Sequence, residues 1–322
     1  MKKVNLSIII LLVALLADGT WQAANARARK RKSTTASSQQ STAPKPRAVP
    51  DSALTFTVNG VSFTMVYVEG GTFTMGASAS DKQAWDHEKP AHKVTVSSYC
   101  IGQTEVTQQL WQAVMGYNPS CFNGKGNDDY NSYHSDINYG TNPQRPVENV
   151  SGDDCQEFIR KLNQRTGKRF RLPTEAEWEF ASRGGNKSRG YKYSGSNSIS
   201  EVAWYYCNSG NKRLTDYDFD KFLSNEAYCN RIVNKIIANR NCTHAVATKA
   251  PNELAIYDMT GNVWEWCHDN FSNYDGSYTE YGSARVNRGG SVRYCARACR
   301  VSYRDSYAAD FRSYGLGLRL AL

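Results

Sequence analysis

The stretch GGSVRYCARACRVSYR, residues 289–304, places Cys295 and Cys299 four positions apart. Two thiols at that spacing suit three chemistries: thiolate ligation of a soft metal, a redox pair, or a disulfide. In an extended segment they share a face but stand ~13 Å apart, at ~3.3 Å per residue. A two-thiolate copper site needs sulfurs ~4–5 Å apart, so an extended CARAC segment does not form one. A second group lies in DMTGNVWEW, residues 258–266, where Asp258 and Glu265 flank Gly261. Carboxylates around a tight turn with exposed carbonyls supply hard oxygen donors, the ligands that calcium takes in sets of six to eight. The competing reading makes Trp264 and Trp266 core anchors and lets the acids cap or form salt bridges. The five histidines, His87, His92, His134, His244 and His268, make no paired ligand motif. Nucleophile elbows, Walker loops and dinucleotide fingerprints are absent from the sequence.

The elements that must carry these residues leave clear signals. Residues 54–76 alternate apolar and polar side chains around Asn59-Gly60, a hairpin with a type I′ turn. Gly70-Gly71 marks the next turn, and residues 92–102 read as another strand. Three helices follow. Thr107 caps QQLWQAVM before Gly116. Ser151 opens a helix with Cys155, Phe158, Ile159 and Leu162 on one stripe and a stop at Gly167. Thr174 and Glu177 form a capping box ahead of Trp178 and Phe180. Beyond residue 185, short strands at 202–206 and 300–304 lie among loops rich in Gly, Asn, Ser and Tyr. No internal repeat is present. This pattern predicts one α+β domain of short helices, small antiparallel sheets and long loops.

The N-terminus reads as an export signal over residues 1–26, with Lys2 and Lys3 before an apolar run and Ala24-Asn25-Ala26 as a cleavage site. Residues 27–52 are basic, then rich in Ser, Thr and Pro, and read as a disordered tether to a domain at 53–322. Residues 1–52 carry nine Lys and Arg against two Asp and Glu. Of the formal +9, residues 53–322 therefore keep only 30 basic against 28 acidic side chains. A nucleic-acid partner loses its basis, and no membrane span is expected after signal cleavage. The expected location is periplasmic, cell-surface or extracellular. All nine cysteines follow residue 99, and an odd number leaves at least one unpaired within the chain. Cys229 and Cys242 bracket an Asn-rich stretch that a disulfide would staple.

Seven segments in order resemble the sulfatase-modifying-factor, or formylglycine-generating enzyme, family. They are VEGGTFTMG (68–76), IGQTEVTQQLW (101–111), RPVENVSGDDCQEF (145–158), FRLPTEAEWEFASRGG (170–185), APNELAIYDMTGNVWEW (250–266), RVNRGGS (285–291) and GLGLRLAL (315–322). The resemblance implies a modified C-type-lectin-like fold, with stretches 119–142 and 209–242 as insertions. It also implies a calcium site from the side chains of Asp258 and Glu265 and the carbonyls of Gly261 and Val263. Asn208 and Ser209 would belong to a second calcium site. In the family's enzymes two cysteines hold copper(I), and oxygen then converts a sulfatase cysteine to formylglycine. Ser291 matches the active-site serine and Cys299 the second cysteine. Cys295 stands one position late, and the histidine that follows the first cysteine is replaced by Ala296.

Three functions remain open. One is a copper oxidase acting on a sulfatase or another protein cysteine. Another is a non-catalytic binder of an exported protein or glycan, including a receptor diversified by a retroelement. Its support is the mix of Tyr, Ser, Asp and Arg in residues 302–314. The third is a structural envelope component. The shortened cysteine spacing favours the non-catalytic readings.

Overall fold

The computed structural model describes residues 53–124, 139–276 and 283–322. The signal, the tether, His134 and the middle of the 119–142 insertion lie outside them.

The first hairpin forms as its turn residues dictate. Strands β1 (Ala53–Val58) and β2 (Val61–Val68) pair antiparallel with Val58 opposite Val61. Asn59 and Gly60 both take positive φ, at 48° and 79°, which a type I′ turn requires. The expected strand at 92–102 divides in two. β4 (His92–Val96) pairs with β3 (Gly71–Met75), whereas β5 (Tyr99–Gly102) joins β2 in a different sheet. At this crossing a Cβ on Gly70 would stand 2.6 Å from the Val96 carbonyl oxygen, so only glycine fits.

Helices α1 (Gln108–Met115), α2 (Gly152–Thr166) and α3 (Glu175–Ser182) start at the expected caps. Thr107, Ser151 and Thr174 each accept a hydrogen bond from the backbone N–H three residues on. The buried stripes of α1 and α2 meet where Trp111 stacks on Phe158, ring centroids 4.8 Å apart.

Three local expectations are corrected. Residues 202–206 are not a strand: α4 (Ile199–Val202) occupies their start, and Trp204 makes a single bridge to Gly261. Asn208 then holds the chain in a turn, accepting from the Tyr205 N–H and donating to the Ala203 carbonyl, both at 2.9 Å. Of residues 300–304 only Arg304 is in a strand, β8 (Arg304–Tyr307). The Arg288 guanidinium takes the carbonyls of Val301, Ser302 and Tyr303, withdrawing them from ladder pairing. Residues 209–242 contain two helices, α5 (Phe219–Ser224) and α6 (Glu226–Ala238), capped by Asp218 and Asn225.

The last sheet has the order β8-β7-β6-β9, with β6 at Trp264–Asn270, β7 at Arg285–Arg288 and β9 at Leu316–Gly317. Its β6–β9 pair is parallel, against the expectation of antiparallel sheets throughout. The following residues close the domain. Leu322 exchanges two backbone hydrogen bonds with Cys100, and Ala321 does the same with Arg171. The N-terminal sheet is thus completed by residues more than two hundred positions later in the chain.

Candidate functional site

The CARAC segment is not extended. Ala296–Cys299 form a 3-10 turn, with the Ala298 N–H donating to the Cys295 carbonyl at 3.1 Å. At ~2 Å rise per residue the four steps span ~8 Å along the axis rather than ~13 Å. Cys295 caps this turn and Cys299 ends it, so the ~13 Å spacing of an extended segment does not apply. Both are buried, with 1% of Cys295 and 0% of Cys299 reaching solvent. Gly290 permits this packing, since a Cβ there would stand 2.4 Å from Cys299 Sγ. Burial pushes the Cys295 thiol up to about 12 and the Cys299 thiol well above its ordinary range, with the neighbouring Cys295 adding to the second effect.

The cover over this turn comes from residues 209–242, the stretch that the resemblance marks as an insertion. The Tyr217 hydroxyl accepts from the Cys295 N–H at 3.2 Å, and Asp216 accepts from the Ala296 N–H at 3.1 Å. Asp220 pairs with Arg297 at 2.7 Å. Sequence reasoning assigned this insertion no role; its helical periodicity in FDKFLS and EAYCNRIVNKIIA was the available signal. The segment is not stapled: no disulfide joins Cys229 to Cys242.

Beside the cysteine turn lies a cavity of about 60 Å³. The insertion supplies Tyr217, Phe222, Val233 and Ile236 to its wall. The cysteine segment adds Ser291, Arg293 and Tyr294, and the C-terminal stretch Tyr307, Phe311, Arg312, Ser313 and Tyr314. Tyr294 holds the position one before Cys295, where the resemblance puts the first copper thiolate. Its ring meets Trp264 edge-on at 5.2 Å, and its hydroxyl lies 3.2 Å from that of Tyr307. Tyr307 stacks on Phe311 at 4.5 Å. The Arg293 guanidinium lies over the Tyr314 ring at 3.8 Å. Ser291, fully buried, reaches the cavity wall rather than open solvent.

Asp305, on β8 and sensed electrostatically by Tyr294 and Tyr307, has its carboxyl pushed up to about 7 by burial, against an ordinary 3.8. A raised folded-state pKa favours folding below pH ~4, and that contribution is lost as pH rises through about 7. Asp305→Asn is accordingly expected to gain on the order of 2 kcal/mol over wild type at pH 8 and nothing at pH 4. Urea melts at the two pH values check this; an equal difference at both would refute it.

The expected calcium ligands lie in a second buried cluster. Glu265 is fully buried, pairs with Arg319 at 2.6 Å and accepts from Trp178 Nε1 at 2.6 Å. Asp258, with φ at 58°, accepts from the Ala247 N–H at 2.7 Å. Gly261 is pressed against Trp204, where a Cβ would stand 2.2 Å from the carbonyl oxygen. Sequence reasoning missed Glu105, which accepts from the Val263 N–H at 3.1 Å and from Asn262 Nδ2 at 2.8 Å. Desolvation first, then the charges of Asp258 and Glu265, raise the Glu105 carboxyl well above its usual range. Of these three acids Glu265 is the one paired with the Arg319 guanidinium, while Asp258 and Glu105 add negative charge to the same buried region. Asn208 stays with its own turn. Ser209 donates to the Val292 carbonyl at 2.7 Å and accepts from Asn241 at 2.7 Å. Among the described residues no group of three or more His, Cys, Asp and Glu side chains is arranged to hold a metal ion.

Comparison with known proteins adds the family. The profile of the sulfatase-modifying factor enzyme 1-like domain matches residues 55–322. A protein named chaperone protein LppX from Paenibacillus barcinonensis is 34% identical, over 81% of this chain and 89% of its own. The formylglycine-generating enzyme of Streptomyces coelicolor is 29% identical, over 80% of this chain and 88% of its own. Among solved structures, Treponema denticola variable protein 1 superposes with a TM-score of 0.63 at 32% identity, covering 85% of this chain and 99% of that one. The shared architecture is the C-type-lectin-like fold of these proteins, with short helices, small sheets and long loops.

Proposed function

The chain belongs to the sulfatase-modifying factor enzyme 1-like family, and within it we propose that this chain is an exported, non-catalytic ligand-binding member. The observation that carries this reading is the insertion. Tyr217 and the helix that follows it cover the turn bearing Cys295 and Cys299, so a substrate cysteine has no open approach to either sulfur. A copper(I) site would also require both thiols to give up protons that burial holds on them. The same insertion completes an aromatic cavity with residues from 302–314, which serves as the binding site. Similarity to Treponema denticola variable protein 1 supports a second reading, a receptor diversified by a retroelement. The Tyr307, Phe311 and Tyr314 that segment 302–314 brings to the cavity support it as well. Adenine-rich codons at those positions test it. A calcium ion bound at Asp258, the carbonyls of Gly261 and Val263, and a Glu265 shared with Arg319 would balance the acidic cluster and stiffen the turn it occupies.

The catalytic alternative is tested directly. The full chain, incubated with copper, oxygen and a Cys-x-Pro-x-Arg peptide, is expected to leave the peptide thiol unchanged by mass spectrometry. Thiol-to-aldehyde turnover that disappears in both Cys295→Ser and Cys299→Ser would overturn the proposal.

A further inference from the structure

Independently of the cavity, we infer that the outward face of the 209–242 stretch is a docking strip for a linear acidic polysaccharide. The stretch carries six basic side chains, Lys212, Arg213, Lys221, Arg231, Lys235 and Arg240, and all six are exposed. Among the described residues none of them has a carboxylate within salt-bridge distance. The acids of the same stretch are engaged elsewhere. Asp216 accepts from the Ala296 N–H, Asp218 caps α5 through the Lys221 N–H, and Asp220 pairs with Arg297. Glu226 lies in the first turn of α6, at the opposite end from Lys235 and Arg240. Residues 53–322 as a whole hold 30 basic against 28 acidic side chains, so this surplus is local.

Helix α6 sets the spacing of the cations. Its inner face, Cys229, Ile232, Val233 and Ile236, is buried, which turns Arg231 and Lys235 outward one turn apart, ~6 Å along the axis. The next position on that line, Asn239, is buried and clamps the preceding loop. Its side chain accepts from the Lys212 N–H and donates to the Lys212 carbonyl, each at 2.9 Å. Its own carbonyl accepts from the Asn211 N–H at 2.8 Å. Lys212 and Arg213 thereby extend the line past the helix C-terminus, where Arg240 follows. At the other end the Tyr228 ring holds Lys221 and Arg231, at 5.1 and 4.7 Å from its centroid. Like charges held in a row repel one another, and an anionic chain that meets several at once relieves each.

The side chains between the cations select the class of polyanion. Ala227, Asn230, Asn234 and Ala238 are small or carry an amide. No exposed large apolar side chain of the fold lies in the stretch, so nothing is offered to a bilayer or to the apolar centre of a protein interface. The Tyr228 ring is taken by its two cations, which removes a platform for stacking bases. Amides interleaved with cations match the hydroxyls and anions of an acidic sugar chain.

Residues 27–32 hold five further basic side chains, so the test uses the full chain with those five changed to glutamine. A labelled heparin fragment, titrated and read by fluorescence anisotropy, should bind, and neutral dextran should not compete. Raising salt from ~50 to ~200 mM should weaken binding on the order of tenfold. Arg231→Gln with Lys235→Gln should weaken it about fivefold, and adding Lys212→Gln and Arg213→Gln about twenty-five-fold in all. Every variant is first checked for an unchanged melt. Lys168→Gln with Arg169→Gln removes the same charge from an exposed pair after α2 and should change nothing. Equal weakening by that pair, or full binding by the four-residue variant, refutes the strip. Phosphatidylglycerol vesicles or oligothymidylate bound as tightly as heparin refute the polysaccharide. Binding that appears only when Asp128, Asp129 and Asp136 are changed to Asn shows that this chain covers its own strip, and it overturns the external partner.

Discussion

Arg319→Met is expected to destabilise the domain by about 3–5 kcal/mol, the usual result of stripping one partner from a buried ion pair. The arginine is fully buried and donates to both Glu265 oxygens and to the carbonyls of Gly102 and Tyr257. Its loss leaves Glu265 with only the Trp178 indole N–H beside two further acids. The urea midpoint should therefore fall sharply, with a melting temperature lower by on the order of 10 °C. Adding Glu265→Gln should recover part of the loss, because the uncompensated charge is then gone. A single variant as stable as wild type would show that Arg319 is not the counter-charge of this cluster.

The same imbalance predicts a calcium response. A ligand that binds only the native state adds RT ln(1 + [L]/Kd), about 2.7 kcal/mol at a hundredfold excess over Kd. Wild type should melt higher in calcium than in chelator, and Asp258→Asn should lose most of that difference. Arg319→Met sharpens the test, since an added cation should rescue it more than it helps wild type. Superimposable wild-type curves in calcium and chelator would remove calcium from this cluster.

Much of the fold was legible because its signals are local. Asn59-Gly60 demanded a turn, and Thr107, Ser151 and Thr174 carried their cap chemistry in plain view. What was not legible depends on partners distant in sequence. Residues 300–303 have strand composition, yet Arg288 takes three of their carbonyls. The strand expected at 92–102 breaks because its halves are claimed by different sheets. The site follows the same rule. Asp258, Gly261, Val263 and Glu265 were named from one motif, whereas Glu105 reaches them from more than 150 residues away. The cysteine spacing was readable, but the 3-10 turn was not. That turn is held from outside by Tyr217 and Asp216, in a segment read only as an insertion.

The closure of the N-terminal sheet by the final residues sets an order on synthesis. β5 can pair with β2 as soon as both have emerged, but its other edge stays open until residues 320–322 are made. The Arg319 guanidinium, which neutralises Glu265, arrives in that same last stretch. Until then the nascent chain holds an unpaired strand edge and an uncompensated buried acid, so it is kept from its cooperative fold. A ribosome-stalled chain ending before Leu316 should therefore remain protease-sensitive throughout, including segments whose own hydrogen bonds are all local.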